Sequence, residues 1–280
     1  MENKPDIKPR RHCPPVLIIC FLLLVQFQGH GQSTASPNVS IISVHSTQME
    51  TEKNIWIYLP ASYKASTKNY PVLYLQDAQN LFDSSTSFSG EWRVDEILDS
   101  LKLDLIVVGI EHGNAKRIDE LTPYAHPEHG GGNAVAYLDF ITKTLKPQID
   151  SLYRTKPTAA STFIGGSSLG GLFAYYSILK HPEIFSKALV FSPSFWFSDE
   201  IVTLTKQTHM EALSATKIFF RAGHKESETM VPLMMKMRQI LIDKGMSMCD
   251  INSKAVFEGT HSEKFWASQF PEAALWLISN

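Results

Sequence analysis

Gly-Gly-Ser-Ser-Leu-Gly-Gly at residues 165–171 limits the folds open to this chain more than any other stretch. Before it, Ser161-Thr162-Phe163-Ile164 reads as a short buried strand; after it, Leu169 to Leu179 reads as a helix closed by His181-Pro182. A sharp turn must join the two. Glycine two positions before and two after Ser168 lets the flanking chain pass close to that turn without a Cβ clash. Gly166-Ser167-Ser168-Leu169-Gly170 therefore matches Gly-x-Ser-x-Gly, a strained strand-to-helix elbow that pushes a serine hydroxyl out of the backbone. Ser168 is the candidate nucleophile.

A serine hydroxyl is a weak nucleophile at neutral pH, so a base must reach it and a third group must orient the base. On a fold with such an elbow the partners follow in the order Ser, Asp/Glu, His, each just after a sheet strand. Lys217-Ile218-Phe219-Phe220-Arg221-Ala222 has a strand pattern and ends in Gly223-His224-Lys225-Glu226, which makes Glu226 the candidate acid. Glu228 stands two residues on as its rival, with Glu226 then capping the next helix. Ala255-Val256-Phe257-Glu258 reads as a later strand broken at Gly259-Thr260-His261, and His261 is the candidate base. His224 reads as a solvated loop histidine.

An oxyanion formed by attack on a carbonyl needs two backbone donors. Leu169, next after the nucleophile, supplies one N–H. The apolar run Tyr70-Pro71-Val72-Leu73-Tyr74-Leu75 ends at Gln76-Asp77-Ala78-Gln79-Asn80, so Gln79 is the expected second donor, with Ala78 next.

Taken as a set, Tyr-Pro-Val-Leu-Tyr-Leu-Gln-Asp-Ala-Gln-Asn-Leu-Phe-Asp (70–83), Glu91-Trp92 with Asp95-Glu96, the elbow, Phe191-Ser192-Pro193-Ser194-Phe195-Trp196 and Gly259-Thr260-His261 resemble the Putative esterase family of α/β-hydrolases. That family holds esterase D-like enzymes, ferric-siderophore esterases, and feruloyl and acetylxylan esterases. The resemblance spans roughly residues 40–278. It implies an α/β-hydrolase fold, a carboxylic-ester substrate of acylated-carbohydrate or siderophore type, and no cofactor. One departure stands out: the family commonly has Asp-Gly-Gln where this chain has Asp77-Ala78-Gln79. If that glycine serves a positive φ, Ala78 strains the loop.

The remaining sequence fits one α/β domain over 33–280. Strand-like runs recur at 55–59, 72–75, 105–110, 161–164, 187–191, 217–221 and 254–257 with helix-like stretches between most of them, an alternation that predicts a largely parallel sheet covered by helices on both faces. Apolar content of 44% and charge of 19% suit a sizeable buried core. Residues 1–32 read as a signal peptide. A basic stretch (Lys4, Lys8, Arg10, Arg11) precedes ten apolar residues, Val16 to Val25, too short to span a bilayer, and cleavage is expected near Gly31 or Gln32. Export to the periplasm or the exterior follows, with no lipid anchor, since Cys20 lies inside the apolar run.

Cleavage removes Cys13 and Cys20 and leaves Cys249 alone, so no internal disulfide is expected. Four cations and two anions go with the segment, moving the net charge from −2 to about −4. Neither nucleic acid nor an anionic membrane is then a favoured partner. His126 and His129 sit on a Pro/Gly-rich loop and read as solvated. No Cys/His spacing supports a metal, and Gly130-Gly131-Gly132 lacks the strand and the Lys-Ser/Thr of a phosphate loop. Trp196, Trp92 with Glu91, and Arg117 on the 112–132 loop are candidate pocket walls. The sequence leaves two other readings open: an acyltransferase of the same chemistry, and a hydrolase-fold binding module without activity.

Overall fold

The computed structural model describes Met1 and residues 33–279. Eight strands make one sheet: β1 (Val39–Ser46), β2 (Thr51–Tyr58), β3 (Val72–Gln76), β4 (Ile106–Ile110), β5 (Thr162–Ser167), β6 (Lys187–Phe191), β7 (Lys217–Gly223) and β8 (Ile251–Val256). Their order is β1-β2-β4-β3-β5-β6-β7-β8. β2 lies antiparallel to both β1 and β4, and every other neighbouring pair is parallel. The helices are α1 (Val94–Leu101), α2 (Arg117–Leu121), α3 (Ala134–Asp139), α4 (Lys146–Leu152), α5 (Leu169–Lys180), α6 (Glu200–Gln207), α7 (Met230–Asp243) and α8 (Glu263–Ile278).

A strand covered on both faces needs apolar side chains at consecutive positions, and β3, β4 and β5 are buried at every residue. Alternate residues then enter two cores. Ile57, Tyr74, Val108, Ile164, Val190 and Phe220 pack with α5 and α7, while Tyr58, Leu75, Val107, Phe163, Phe191 and Phe219 pack with α1 and α8. Each such side chain, fully buried, contributes about 1.5–3 kcal/mol from removal of apolar surface. Helices thus cover both faces, and the fold is that of the α/β-hydrolases.

All seven expected strands form. β1 is additional: it is an edge strand whose residues are mostly exposed or half-buried, so its signal is the weak Val-Ser-Ile-Ile-Ser-Val alternation rather than an apolar run. The expected signal peptide, with Cys13 and Cys20, lies outside the described residues. Among those described, Cys249 is an exposed free thiol and no helix is long and apolar enough to cross a membrane.

Because β3 to β8 run in one direction, their carboxyl ends share one edge of the sheet. The loops leaving that edge carry Asp77, His112, Ser168, Ser192, Glu226 and His261. A crevice at the carboxyl ends of parallel strands is where open α/β sheets place their sites.

Candidate active site

Ser168 occupies the turn between β5 and α5 with φ 57° and ψ −121°, a left-handed φ that non-glycine residues rarely adopt. Such strain costs about 1–3 kcal/mol and persists only where the surroundings enforce it. Here the Ser168 N–H donates to the Phe191 carbonyl at 3.0 Å, and its own carbonyl accepts from the Ser194 N–H at 3.1 Å. A Cβ at Gly166 would stand 2.6 Å from the Gly170 carbonyl carbon, so the turn closes only with glycine there.

His261, in the loop after β8, reaches the serine with Nε2 3.0 Å from Ser168 Oγ. Its Nδ1 stands 2.8 Å from Glu226 Oε2. A carboxylate at Nδ1 favours the tautomer that carries its proton there, leaving Nε2 free to accept. The Glu226 side chain is 1% exposed. Its other oxygen accepts from Ser192 Oγ at 2.8 Å and from the Gly223 N–H. Ser192 in turn accepts from Trp266 Nε1 at 2.8 Å. The loops after β7 and β8 meet so closely that a Cβ on Gly223 would lie 2.1 Å from the Gly259 carbonyl oxygen. Of the two carboxylates weighed from sequence, Glu226 is brought to His261, while Glu228 is exposed, as is His224. Ser192 and Trp266 were not expected as site residues. Ser192 follows β6 at the same sheet edge as the serine, which is the signal that could have found it.

The loop after β3 faces the elbow: a Cβ on Gly170 would be 3.1 Å from Gln76 Cβ and 3.3 Å from Asp77 Oδ2. The expectation that Ala78 carries the strain is corrected. Asp77 holds the positive φ, 61°, whereas Ala78 lies in the short 3-10 turn Ala78–Asn80 and is fully buried. The Gln79 and Leu169 N–H groups have no partner among the described residues. Two clamps hold this loop. Arg117 donates to both Asp77 oxygens, at 2.7 and 2.8 Å, and the Gln79 amide exchanges bonds with the backbone of His112 at 3.0 and 3.2 Å. Burial works against the Arg117 charge, but the Asp77 carboxylate outweighs it and holds the guanidinium above its ordinary pKa. Burial keeps His112 below its usual value.

A pocket of about 480 Å³ opens in front of Ser168, walled by Gln79, Asn80, Phe88, Arg117, Glu263 and Trp266 among others. Arg117 lines this pocket. Trp92 does not: it is 2% exposed and packs edge-on against Phe191 and beside Trp266 and Phe270, as core behind the pocket. Trp196 is also outside this wall. It is half exposed and packs with Phe197 and with the rings of His126 and His129, which stack on each other at 4.6 Å. Glu91 turns away to Asp95 and Glu96. Glu263, the first residue of α8, has its carboxyl pushed above its ordinary pKa, chiefly by burial.

The model of the family described as Putative esterase matches residues 46–277. Among curated proteins the chain is 27% identical over 237 residues to the uncharacterized protein YbbA of Bacillus subtilis (strain 168), covering 79% of this chain and 90% of that one. It is 27% identical over 206 residues to the ferri-bacillibactin esterase BesA of the same organism, covering 65% of this chain and 70% of BesA. Among solved structures it resembles the BES protein from Bacillus cereus with a TM-score of 0.72 at 20% identity, over 89% of this chain and 98% of that one.

Proposed function

The chain belongs to the Putative esterase family, and from that premise we propose that it is an exported serine carboxylic-ester hydrolase working through Ser168, His261 and Glu226. The observation that carries the reading is the continuous relay of 3.0 Å from Ser168 Oγ to His261 Nε2 and 2.8 Å from Nδ1 to Glu226, beside a pocket. As Oγ attacks the ester carbonyl carbon, its proton passes to Nε2. Glu226 holds the ring and stabilises the imidazolium. The carbonyl oxygen gathers negative charge and is met by the Leu169 and Gln79 N–H groups. Collapse of the intermediate breaks the ester bond, and the leaving alkoxide takes the proton from Nε2. Water, deprotonated by the same nitrogen, then frees the acid and restores the serine. No step calls for a cofactor.

Acylated carbohydrates and siderophore esters are the substrate classes we propose. BesA, 27% identical, is by its name a ferri-bacillibactin esterase. Export rests on the sequence pattern of residues 1–32, of which 2–32 lie outside the described residues.

The test compares the protein with Ser168→Ala on a short-chain aryl ester and a fluorophosphonate probe. Wild type is expected to hydrolyse and label. The variant should fall by roughly 10⁵–10⁶ in kcat and lose the label, the scale seen when a serine-hydrolase nucleophile is removed. A folded wild type that neither turns over ester nor labels refutes the reading and leaves the binding module.

A further inference from the structure

Away from the pocket, three carboxylates converge at the start of α1. Glu91, Asp95 and Glu96 each offer an oxygen, and these lie within 4.8 Å of one another. Each residue has its other contacts in place on one oxygen only. The Ser36 N–H donates to Asp95 Oδ2 at 2.7 Å, Thr34 Oγ1 donates to Glu91 Oε2 at 2.9 Å, and Arg93 Nε reaches Glu96 Oε1 at 3.4 Å. The second oxygen of each, Asp95 Oδ1, Glu91 Oε1 and Glu96 Oε2, is buried without a hydrogen-bond partner among the described residues. Asp95 is enclosed completely, at 0% exposure. Burial, with the neighbouring Glu96 carboxylate adding to it, pushes the Asp95 carboxyl up to about 7, because a buried carboxylate without a counter-charge is among the costliest groups a fold can hold and adjacent carboxylates repel. Arg93, with its side chain 64% exposed and hydrogen-bonded to Glu96 alone, is a screened partner that acts on Glu91 only through its charge and leaves Asp95 uncompensated.

We propose that Glu91, Asp95 and Glu96 form a binding site for a hard divalent cation, Ca²⁺ foremost. Calcium–oxygen distances of about 2.3–2.6 Å put any two ligands of one ion no more than about 4.6–5.2 Å apart, and one oxygen from each of the three residues meets that limit. The donors are all oxygen, with neither imidazole nor thiolate, which selects against zinc and copper. Thr34 Oγ1, bonded to Glu91, stands beside them as a neutral oxygen. The ion would join residues 34–36 to α1 and to the segment that borders the pocket, where the Trp92 N–H donates to the Asn80 carbonyl and the Phe88 N–H to Asn80 Oδ1.

The experiment strips the protein with EDTA and titrates it with Ca²⁺ alone, and with Mg²⁺ in parallel, by calorimetry and by thermal unfolding. One saturable Ca²⁺ site is expected, with a rise in melting midpoint of several degrees once Ca²⁺ is in large excess over its Kd. Tb³⁺ should bind the same site, luminesce on excitation of the neighbouring Trp92, and be displaced by Ca²⁺. Asp95→Asn should abolish the site and Glu91→Gln should weaken it at least tenfold; circular dichroism checks that both fold, and Glu91→Gln alone decides if Asp95→Asn does not. A wild type with no heat of binding, no midpoint shift and no Tb³⁺ emission overturns the proposal and leaves the carboxylates sharing a proton. A calcium response equal in wild type and both variants overturns it too, because the ion would then bind elsewhere.

Discussion

Glu226 and Glu228 are two residues apart and chemically identical, yet it is Glu226 that stands at hydrogen-bond distance from His261. Glu226 is held from behind by Ser192 and the Gly223 N–H and points one oxygen at Nδ1, whereas Glu228 is exposed. Glu226→Gln keeps the shape but presents an amide to Nδ1, so kcat should fall by roughly 10³–10⁴, as when a triad acid is made an amide. Glu228→Gln should leave kcat within a factor of about two. Equal losses in ester hydrolysis by the two variants would refute this assignment. Glu263 allows a second test. Burial raises its carboxyl above the ordinary 4.5, with Asp77 adding to the rise and Arg117 and His261 opposing it. The folded chain therefore holds this proton when the unfolded chain has lost it, so the contribution is complete below pH 4.5 and is lost as pH rises through the folded value. Glu263→Gln should then melt higher than wild type at pH 7, with the difference shrinking toward pH 4. A difference independent of pH would show that the carboxyl bears no such cost.

At the scale of elements, the parts legible in the sequence are those where a local pattern has one physical reading. The elbow was legible because glycines, an apolar strand and an apolar helix can meet at a serine in only one way, and β3 to β7 were legible because burial on both faces demands continuous apolar runs. β1 was not, since an exposed edge strand needs no such run. A tryptophan near a loop packs as readily behind a pocket or beside it as in it: Trp92 lies in the core against Trp266 of α8, which lines the pocket, and Trp196 packs half exposed on the His126 and His129 rings. Ala78 was suspected of strain that belongs to Asp77, a shift of one residue that spacing does not reveal. Helix α8 is secured across the sheet. Lys187, the first residue of β6, donates to the carbonyls of Leu277 at 2.8 Å and Ser279 at 2.6 Å, a cation on the C-terminus of that helix. Lys187→Met should lower the unfolding free energy by about 1–2 kcal/mol in urea titrations. An unchanged midpoint and slope would mean the cap contributes nothing.

For the molecule as a whole, the first described residues bear on the proposed export signal. The proposed cleavage falls near Gly31 or Gln32, and from Ser33 onward the chain already makes contacts with the folded body. Ser33 Oγ donates to Asp83 at 2.5 Å, Thr34 Oγ1 to Glu91, and the Ser36 N–H to Asp95. These bonds help satisfy buried Asp83, which also accepts from the Ser85 N–H at 2.8 Å, and give buried Asp95 its Ser36 donor; losing the Ser36 N–H leaves Asp95 to bear the desolvation cost. A signal peptidase acting beyond Ser36 would remove these donors, so the mature N-terminus is expected at or before Ser33. Mass spectrometry of the exported protein reads this directly. Deleting residues 33–36 from the mature chain should cost about 1–3 kcal/mol for each charged acceptor left bare and lower the melting midpoint by about 2–4 °C per kcal/mol in a protein of this size. Wild-type stability after the deletion, or a mature chain beginning after Ser36, would show that the segment is dispensable to the fold.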